Sequence, residues 1–189
     1  SQALHAEILR YFPYGSFRPY QDRFALKAHD ALDAKRHAIL EGVNGLGKTA
    51  AILSAALPIA KERGLSILYT SRTHRQCDRA IEELQRISEK TRATGLSFRG
   101  RREMCINRFV LQNVEDPRSA MELCNHMTRT HRCRFFERVE MNPKTLQRLL
   151  RRLSSGAYTS SEIKDECSGL ELCPYEVAKR ALDGVDVVA

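Results

Sequence analysis

The sequence predicts an α/β fold with a parallel sheet, interrupted by a mainly helical insert. Short apolar runs typical of strands alternate with helical stretches through the first hundred residues, and a glycine-rich loop joins one such run to the next helix. Between Gly100 and about Pro174 this alternation stops, and five of the six cysteines lie there. We therefore expect an α/β domain in residues 1–99, an insert in 100–174 and a return to the α/β domain in 175–189.

The individual elements follow from apolar periodicity. In one helix Ala80, Ile81, Leu84 and Ile87 recur at helical spacing, and Gly64 ends the helix before it. The predicted strands are 37–41, 65–70, 96–98 and 185–189. The predicted helices are 19–34, 50–63, 75–90 and 175–182, with irregular ones near 107–115, 117–131 and 143–153 in the insert.

Composition places the chain among globular proteins. Of its 189 residues 42% are hydrophobic and 29% charged, and no apolar run reaches the roughly 18–20 residues of a membrane span. Because no secretion signal opens the chain either, we expect an intracellular protein without a membrane partner, whose cysteines favour metal binding or reactive thiols over disulfides. The net charge of +8 is concentrated in residues 99–153, which carry +7. Such a region suits a polyanionic partner or a bound anion, although solvated arginine faces are common.

Residues 42–49 match the phosphate-binding pattern G-x-x-x-x-G-K-[ST] and stand between a predicted strand and a helix. The backbone can wrap a phosphate chain because three positions are glycine: Gly42, Gly45 and Gly47. The N-terminus of the following helix adds N–H donors and a partial positive charge. In this pattern Lys48 reaches the β- and γ-phosphates and the Thr49 hydroxyl binds Mg²⁺, so the loop predicts a site for ATP with Mg²⁺.

A segment upstream of the loop is a candidate for binding the base. Arg18 and Gln21 offer a cation and an amide, and residues 12–14 (Phe-Pro-Tyr) offer an aromatic surface. An amide can donate to and accept from an adenine edge at once. A surface turn explains the same residues equally well, so both interpretations stay open.

A candidate metal site consists of four cysteines: Cys105, Cys124, Cys133 and Cys173. They lack the close C-x-x-C pairs that zinc sites usually show. The Cys173-Pro174 step occurs at the end of ferredoxin-type cluster motifs, and nearby arginines would balance an anionic cluster. From spacing alone an iron–sulfur cluster, zinc and buried inert thiols all stay open, with Cys167 as an alternative ligand to Cys173.

Together these motifs resemble the N-terminal part of the iron–sulfur DNA helicases of superfamily 2, of the XPD/DinG type with its FANCJ- and RTEL-like branch. Residues 12–21 are similar to the Q motif of that family, and 42–49 to its motif I, although 43–46 depart from the usual Pro-Thr-Gly-Thr/Ser. Similarity to motif Ia is carried by residues that directly follow a predicted strand: Ser71, Arg72, Thr73 and Gln76. The sequence around each of the four cysteines is similar to the family's 4Fe–4S insert.

The resemblance implies a RecA-like P-loop motor domain, here partial, with a four-cysteine iron–sulfur insert. It implies a monomeric ATP-dependent motor that moves 5′→3′ on single-stranded or forked DNA in repair or related transactions. It assigns Arg18 and Gln21 to the adenine side, Lys48 and Thr49 to catalysis, and a 4Fe–4S cluster to the four cysteines, with Cys173 rather than Cys167 as the fourth ligand. The motif Ia residues would hold the DNA backbone, since hydroxyl and guanidinium groups donate to phosphates without reading bases. Capping of a helix by Ser71 or Thr73 is the alternative.

Two parts of such a motor are expected to lie outside these residues. The acidic pair that holds Mg²⁺ and orients water would follow 185–189. The Asp165-Glu166 step is rejected as that pair, because it stands in a polar stretch of the insert and not after a buried strand. The second part expected outside these residues is the second motor domain. We therefore expect the chain alone to be inactive as an ATPase and helicase. Two other functions stay open: a P-loop kinase-like protein with structural zinc, and a non-enzymatic, cluster-bearing module for DNA binding or redox sensing.

Overall fold

A computed structural model describes residues 2–189 and confirms the predicted α/β class with a parallel sheet. All neighbouring strands are parallel, with Ile67 opposite Val187 and Gly95 opposite both Val187 and Ala157. The four strands lie in the order β1-β4-β2-β3 and are short: β1 (Ile67–Leu68), β2 (Gly95–Leu96), β3 (Ala157–Tyr158) and β4 (Val187–Val188).

Helices make up most of the chain. The first part contains α1 (Gln2–Arg10), α2 (Gln21–Asp33), α3 (Lys48–Arg63) and α4 (His74–Thr91). The remainder contains α5 (Arg101–Met104), α6 (Arg108–Asn113), α7 (Pro117–Arg129), α8 (Arg134–Met141), α9 (Pro143–Leu153), α10 (Ser160–Leu170), α11 (Pro174–Ala181) and a 3-10 turn (Leu182–Gly184). Within the described residues 2–189, no helix is both long and apolar enough to cross a bilayer.

The core under the sheet is formed by α3 and α4. Leu53 and Leu57 of α3 pack with Leu84 and Ile87 of α4 and with Val187 of the sheet, and all five side chains are fully buried. Burial of each such side chain contributes roughly 1.5–3 kcal/mol. Because these positions repeat every three or four residues, the helical periodicity of the sequence identified this core correctly.

The predicted strand at 37–41 is wrong. Residues 36–43 belong to no strand or helix, and the Ile39 side chain is fully exposed at 101%. A strand needs the backbone of a neighbour for its ladder of hydrogen bonds. None of the four strands described here pairs with this segment, so its apolar residues are not enough to form a strand.

The region after Gly100 contributes to the same sheet. Its strand β3 pairs with β2, and α10 follows directly from Thr159, whose hydroxyl accepts a hydrogen bond from the Glu162 amide while the Glu162 side chain bonds back to the Thr159 amide. This reciprocal capping box starts a helix in a stretch that the apolar pattern alone left unassigned. Behind it a second core forms from Leu153, Ile163, Leu172, Val177 and other buried residues.

Candidate functional site

The glycine-rich loop has the conformation that its pattern predicts. Gly45 and Gly47 have φ values of +82° and +77°, a region that other residues rarely adopt. Gly47 stands at the N-cap of α3 and supplies no side chain to that helix end. The first N–H groups of this 16-residue helix are therefore left to bind another acceptor, and the helix dipole favours an anion there.

Lys48 lies over the loop. Its Nζ donates to the carbonyl of Gly42 at 2.8 Å and to that of Val43 at 3.1 Å. The Thr49 Oγ1 lies 3.3 Å from the hydroxyl of Tyr69, the residue that follows β1. The cation and the hydroxyl that the sequence singled out thus share one end of α3, next to the uncapped amides.

The two predicted adenine-side residues contact the loop itself. The Gln21 side chain is buried, accepts a hydrogen bond from the Arg18 amide at 3.0 Å and donates to the Gly47 carbonyl at 3.2 Å. The Arg18 guanidinium donates to the Gly45 carbonyl at 2.8 Å. Arg18 and Gln21 are therefore brought together with the loop, and in this structure they stabilise its backbone.

An open groove of about 630 Å³ lies beside these residues and runs from His5 to Arg23. Phe12, which the sequence suggested as an aromatic surface, is instead fully buried with its ring centroid 4.4 Å from that of Phe17. Tyr20 is the exposed aromatic at this groove, with 71% of its surface accessible. The sequence analysis did not single out Tyr20. Its φ of +67° turns the chain at this point, and an apolar pattern in the sequence carries no information about such a backbone angle.

The four motif Ia residues lie in one exposed turn at the N-terminus of α4. Thr73 caps this helix, since its Oγ1 accepts a hydrogen bond from the Gln76 amide at 3.3 Å. The Ser71 hydroxyl donates to the Gln76 side-chain oxygen at 2.5 Å. Arg72 is exposed and forms no ion pair with any residue between 2 and 189. The turn therefore presents the Arg72 guanidinium next to a helix N-terminus whose first turn has no acidic residue, which suits a phosphate.

The four predicted cysteine ligands converge on one small pocket of about 20 Å³. Cys105, Cys124, Cys133 and Cys173 all line it, whereas Cys167 lies in the core behind and does not. Across residues 2–189 no three Cys, His, Asp or Glu side chains stand in the grouping of a metal centre. The structure thus brings the four thiols to one place without the close approach of bound ligands.

Hydrogen-bond donors surround these sulfurs. The Asn107 amide donates to Cys105 Sγ at 3.4 Å, and the Arg101 guanidinium lies 3.5 Å from Cys124 Sγ and 4.3 Å from the centroid of the Tyr175 ring. N–H donors and a cation favour an anionic, thiolate-bearing group. The donor chemistry of the pocket therefore fits a four-thiolate centre.

Burial disfavours the thiolate form of two of these cysteines, Cys173 and Cys105. Burial raises the pKa of Cys173 to about 12, and nearby Cys133 and Cys124 add to the effect. Burial also raises the pKa of Cys105. A metal ion must displace these protons, because only the thiolate is a ligand.

Phe135 and Phe136 pack beside this pocket. They pack against Val110, Met127 and Cys133 in a small cluster of their own. The Arg134 guanidinium lies over the Phe135 ring, with its Cζ 4.8 Å from the ring centroid. Their side chains are thus used in packing rather than presented to solvent as stacking surfaces.

Comparison with known proteins assigns the chain. It is 27% identical over 200 residues to the "General transcription and DNA repair factor IIH helicase subunit XPD" of Dictyostelium discoideum and 28% identical over 207 residues to that of Arabidopsis thaliana, with 96% of the chain covered in each. It is 24% identical over 216 residues to human "Regulator of telomere elongation helicase 1", with 91% covered. The chain spans about a quarter of the length of the XPD relatives and 17% of the human one. Because the sequence profile of the DEAD_2 family matches residues 69–189, well over half of the chain, the protein belongs to the DEAD_2 family and is of the XPD and RTEL helicase type that its motifs resemble.

Proposed function

We propose that this chain is the nucleotide-binding and cluster-bearing part of an ATP-dependent DNA helicase that moves 5′→3′ along single-stranded DNA inside the cell. The observation that carries the proposal is the joint presence, in one chain, of a phosphate loop held by Arg18 and Gln21 and a pocket of four cysteines. The relatives' names refer to DNA repair, transcription and telomere elongation, and among these we propose a role in DNA repair.

At the loop, the chain's own groups would bind the triphosphate. The uncapped amides at the start of α3 would donate to phosphate oxygens, and Lys48 would exchange its two carbonyl acceptors for the β- and γ-phosphates. Thr49 would turn its hydroxyl from Tyr69 toward Mg²⁺. When bound, Mg²⁺ supplies charge that neutralises the developing negative charge of phosphoryl transfer.

At the cysteine pocket, Cys105, Cys124, Cys133 and Cys173 would hold a 4Fe–4S cluster. When bound, such a cluster supplies cross-links between the elements that carry its ligands, and it has redox capacity. The Asn107 amide would orient Cys105, and Arg101 would offset negative charge at Cys124. Folding of the helices between residues 100 and 174 would then depend on the cluster, as in other proteins where metal binding and folding are linked.

At the exposed turn, Arg72 and the neighbouring hydroxyls would hold DNA phosphates. Such contacts carry no sequence information, so we propose sequence-tolerant binding of single strands that weakens as salt rises.

The test uses the full-length protein that contains this chain, purified without oxygen. We expect four irons per chain, broad absorption near 400 nm, and unwinding of a duplex that carries a 5′ overhang but not of one that carries a 3′ overhang. Lys48→Ala should abolish both ATP hydrolysis and unwinding. Lys144→Ala, which removes an exposed lysine on α9, is the matched control and should retain both.

Other outcomes would replace this function with a specific rival. A colourless protein that contains zinc and phosphorylates a small acceptor would indicate a kinase-like enzyme. Iron together with DNA binding that survives Lys48→Ala, but without unwinding, would indicate a non-enzymatic module. Unwinding from a 3′ overhang would contradict the proposed direction while leaving the helicase assignment intact.

A further inference from the structure

A buried arginine joins the start of α4 to the segment that enters the cysteine-rich region. Arg99 follows β2 and is only 6% exposed. Its Nη2 donates to the Asp78 carboxylate at 2.6 Å and to the His74 carbonyl at 2.7 Å, and its Nη1 lies 3.2 Å from the Phe98 carbonyl. A guanidinium is rarely buried to this degree unless it is paired, and here one planar group serves three acceptors.

The same carboxylate extends the network to a third element. The Ser97 hydroxyl, which is fully buried, donates to Asp78 at 2.7 Å, and it accepts a hydrogen bond from the Ser160 amide at 2.7 Å. Ser160 is the first residue of α10. Asp78 and Arg99 therefore connect the first turn of α4, the chain after β2 and the N-terminus of α10.

The residue whose carbonyl Arg99 binds, His74, is the first of α4 and lies within the exposed segment of residues 71–76. The polar groups of that segment bond mainly to one another: the Ser71 hydroxyl donates to the Gln76 side-chain oxygen, and the Gln76 backbone amide donates to the Thr73 hydroxyl. Arg99 reaches the turn's end through the His74 backbone and, one helical turn further, through the Asp78 side chain. It thereby ties the exposed turn to the buried part of the protein.

We infer that Arg99 is a positioning residue for nucleic-acid binding: it fixes the orientation of the 71–76 turn toward DNA phosphates without touching DNA. This rests on the proposed function, in which that turn holds the DNA backbone. An ion pair with one buried partner, such as Arg99 with the partly exposed Asp78, is weak support for overall stability, because desolvation of the buried charge offsets the attraction. The geometric effect of the pair is different: one planar guanidinium holds three acceptors in fixed directions, and a lysine ammonium cannot reproduce this arrangement.

The experiment compares Arg99→Lys and Asp78→Asn in the full-length protein. Lysine retains the charge but offers one compact ammonium, so we expect about tenfold weaker binding of a fluorescent single-stranded oligonucleotide. The double variant should bind no more weakly than either single variant, because both remove one shared interaction. Arg79→Lys on the exposed face of α4, with no ion pair among residues 2–189, is the matched control and should bind as the unaltered protein does.

Two further readouts separate positioning from general stability and from failure of the proposed function. Amide hydrogen exchange at residues 75–77 should accelerate in Arg99→Lys while exchange in α3 stays unchanged, and affinity for a fluorescent ATP analogue should also stay unchanged. If the unaltered protein does not bind single strands, the proposed function fails, and the exchange data alone decide whether Arg99 positions the turn. Unchanged exchange at 75–77 in both variants, or faster exchange throughout the protein, would overturn the inference.

Discussion

Replacement of Gly47 by alanine tests how closely Gln21 and the phosphate loop depend on each other. A Cβ at position 47 would lie 2.4 Å from the Gln21 Nε2, whereas a Cβ at Gly45 would meet no atom within 4 Å. Both glycines have a positive φ, so either alanine costs roughly 1–2 kcal/mol in backbone strain. Only Gly47→Ala also forces the Gln21 amide away from its two partners.

The size of the difference follows from these hydrogen bonds. Each is worth about 0.5–1.5 kcal/mol net, so the free energy of unfolding should fall by about 2–5 kcal/mol for Gly47→Ala and by about 1–2 kcal/mol for Gly45→Ala. Urea denaturation measures both. Titration with a fluorescent ATP analogue should show a larger loss of affinity for Gly47→Ala, because the displaced amide enters the space beside the loop.

A second substitution isolates the collision. Gln21→Ala removes the atoms that a Cβ at position 47 would strike, so in the Gly47→Ala background it should destabilise the protein less than it does alone. Equal effects of Gly45→Ala and Gly47→Ala, or simple additivity with Gln21→Ala, would refute the claim that this side chain supports the loop.

Three further predictions concern the region after Gly100. Thr159→Ala removes the capping box with Glu162 and should lower the free energy of unfolding by about 1 kcal/mol; an unchanged urea midpoint would contradict this. Asp116 caps α7, and hydrogen bonds from the Ser119 hydroxyl and amide lower the pKa of its carboxyl group. The stabilisation that this carboxylate gives the folded protein is therefore present above the ordinary pKa of 3.8. It is lost as pH falls through the lower pKa of the folded state. Exchange of the Ser119 amide should therefore rise in acid, beyond the intrinsic pH trend, and Asp116→Asn should remove this dependence. Cys105→Ser should unfold the cysteine-rich helices while the phosphate loop keeps its amide protection; loss of both together would place the border between the two regions elsewhere.

Local sequence predicted the parts of the fold whose causes are local. The helices α2, α3 and α4 follow from apolar spacing, and the phosphate loop follows from glycines that must adopt positive φ. The strand at 37–41 failed for the opposite reason, because pairing depends on a distant neighbour that an apolar run such as that around Ile39 does not specify. The helix α10 was missed although Thr159 and Glu162 carry the spacing of a capping box, a signal that apolar periodicity does not contain.

The candidate sites show the same division. The four cysteines could be grouped from their sequence contexts, yet only the fold shows that Cys173 lines the pocket and Cys167 does not. Nothing in the sequence marks Arg99 as buried, since an arginine that precedes an arginine-rich region is ordinarily expected at the protein surface. Its partner Asp78 lies on another element, and their contact arises from the packing of α4 against the sheet.

The direction of the strands explains why these sites meet. All four strands are parallel, so the segments that follow them emerge at one edge of the sheet, where open α/β folds bind their ligands. After β1 come Tyr69, which contacts Thr49 of the loop, and the exposed turn; after β2 come Ser97 and Arg99. The nucleotide loop is thus connected to the proposed DNA turn through the hydrogen bond between Thr49 and Tyr69 and the chain that follows Tyr69. Arg99 in turn connects the DNA turn to the segment that enters the cysteine-rich region. A change at Thr49 on nucleotide binding could therefore reach the DNA turn through Tyr69 over a few residues, and Tyr69→Phe, which removes only the hydroxyl, separates that route from the anchoring by Arg99.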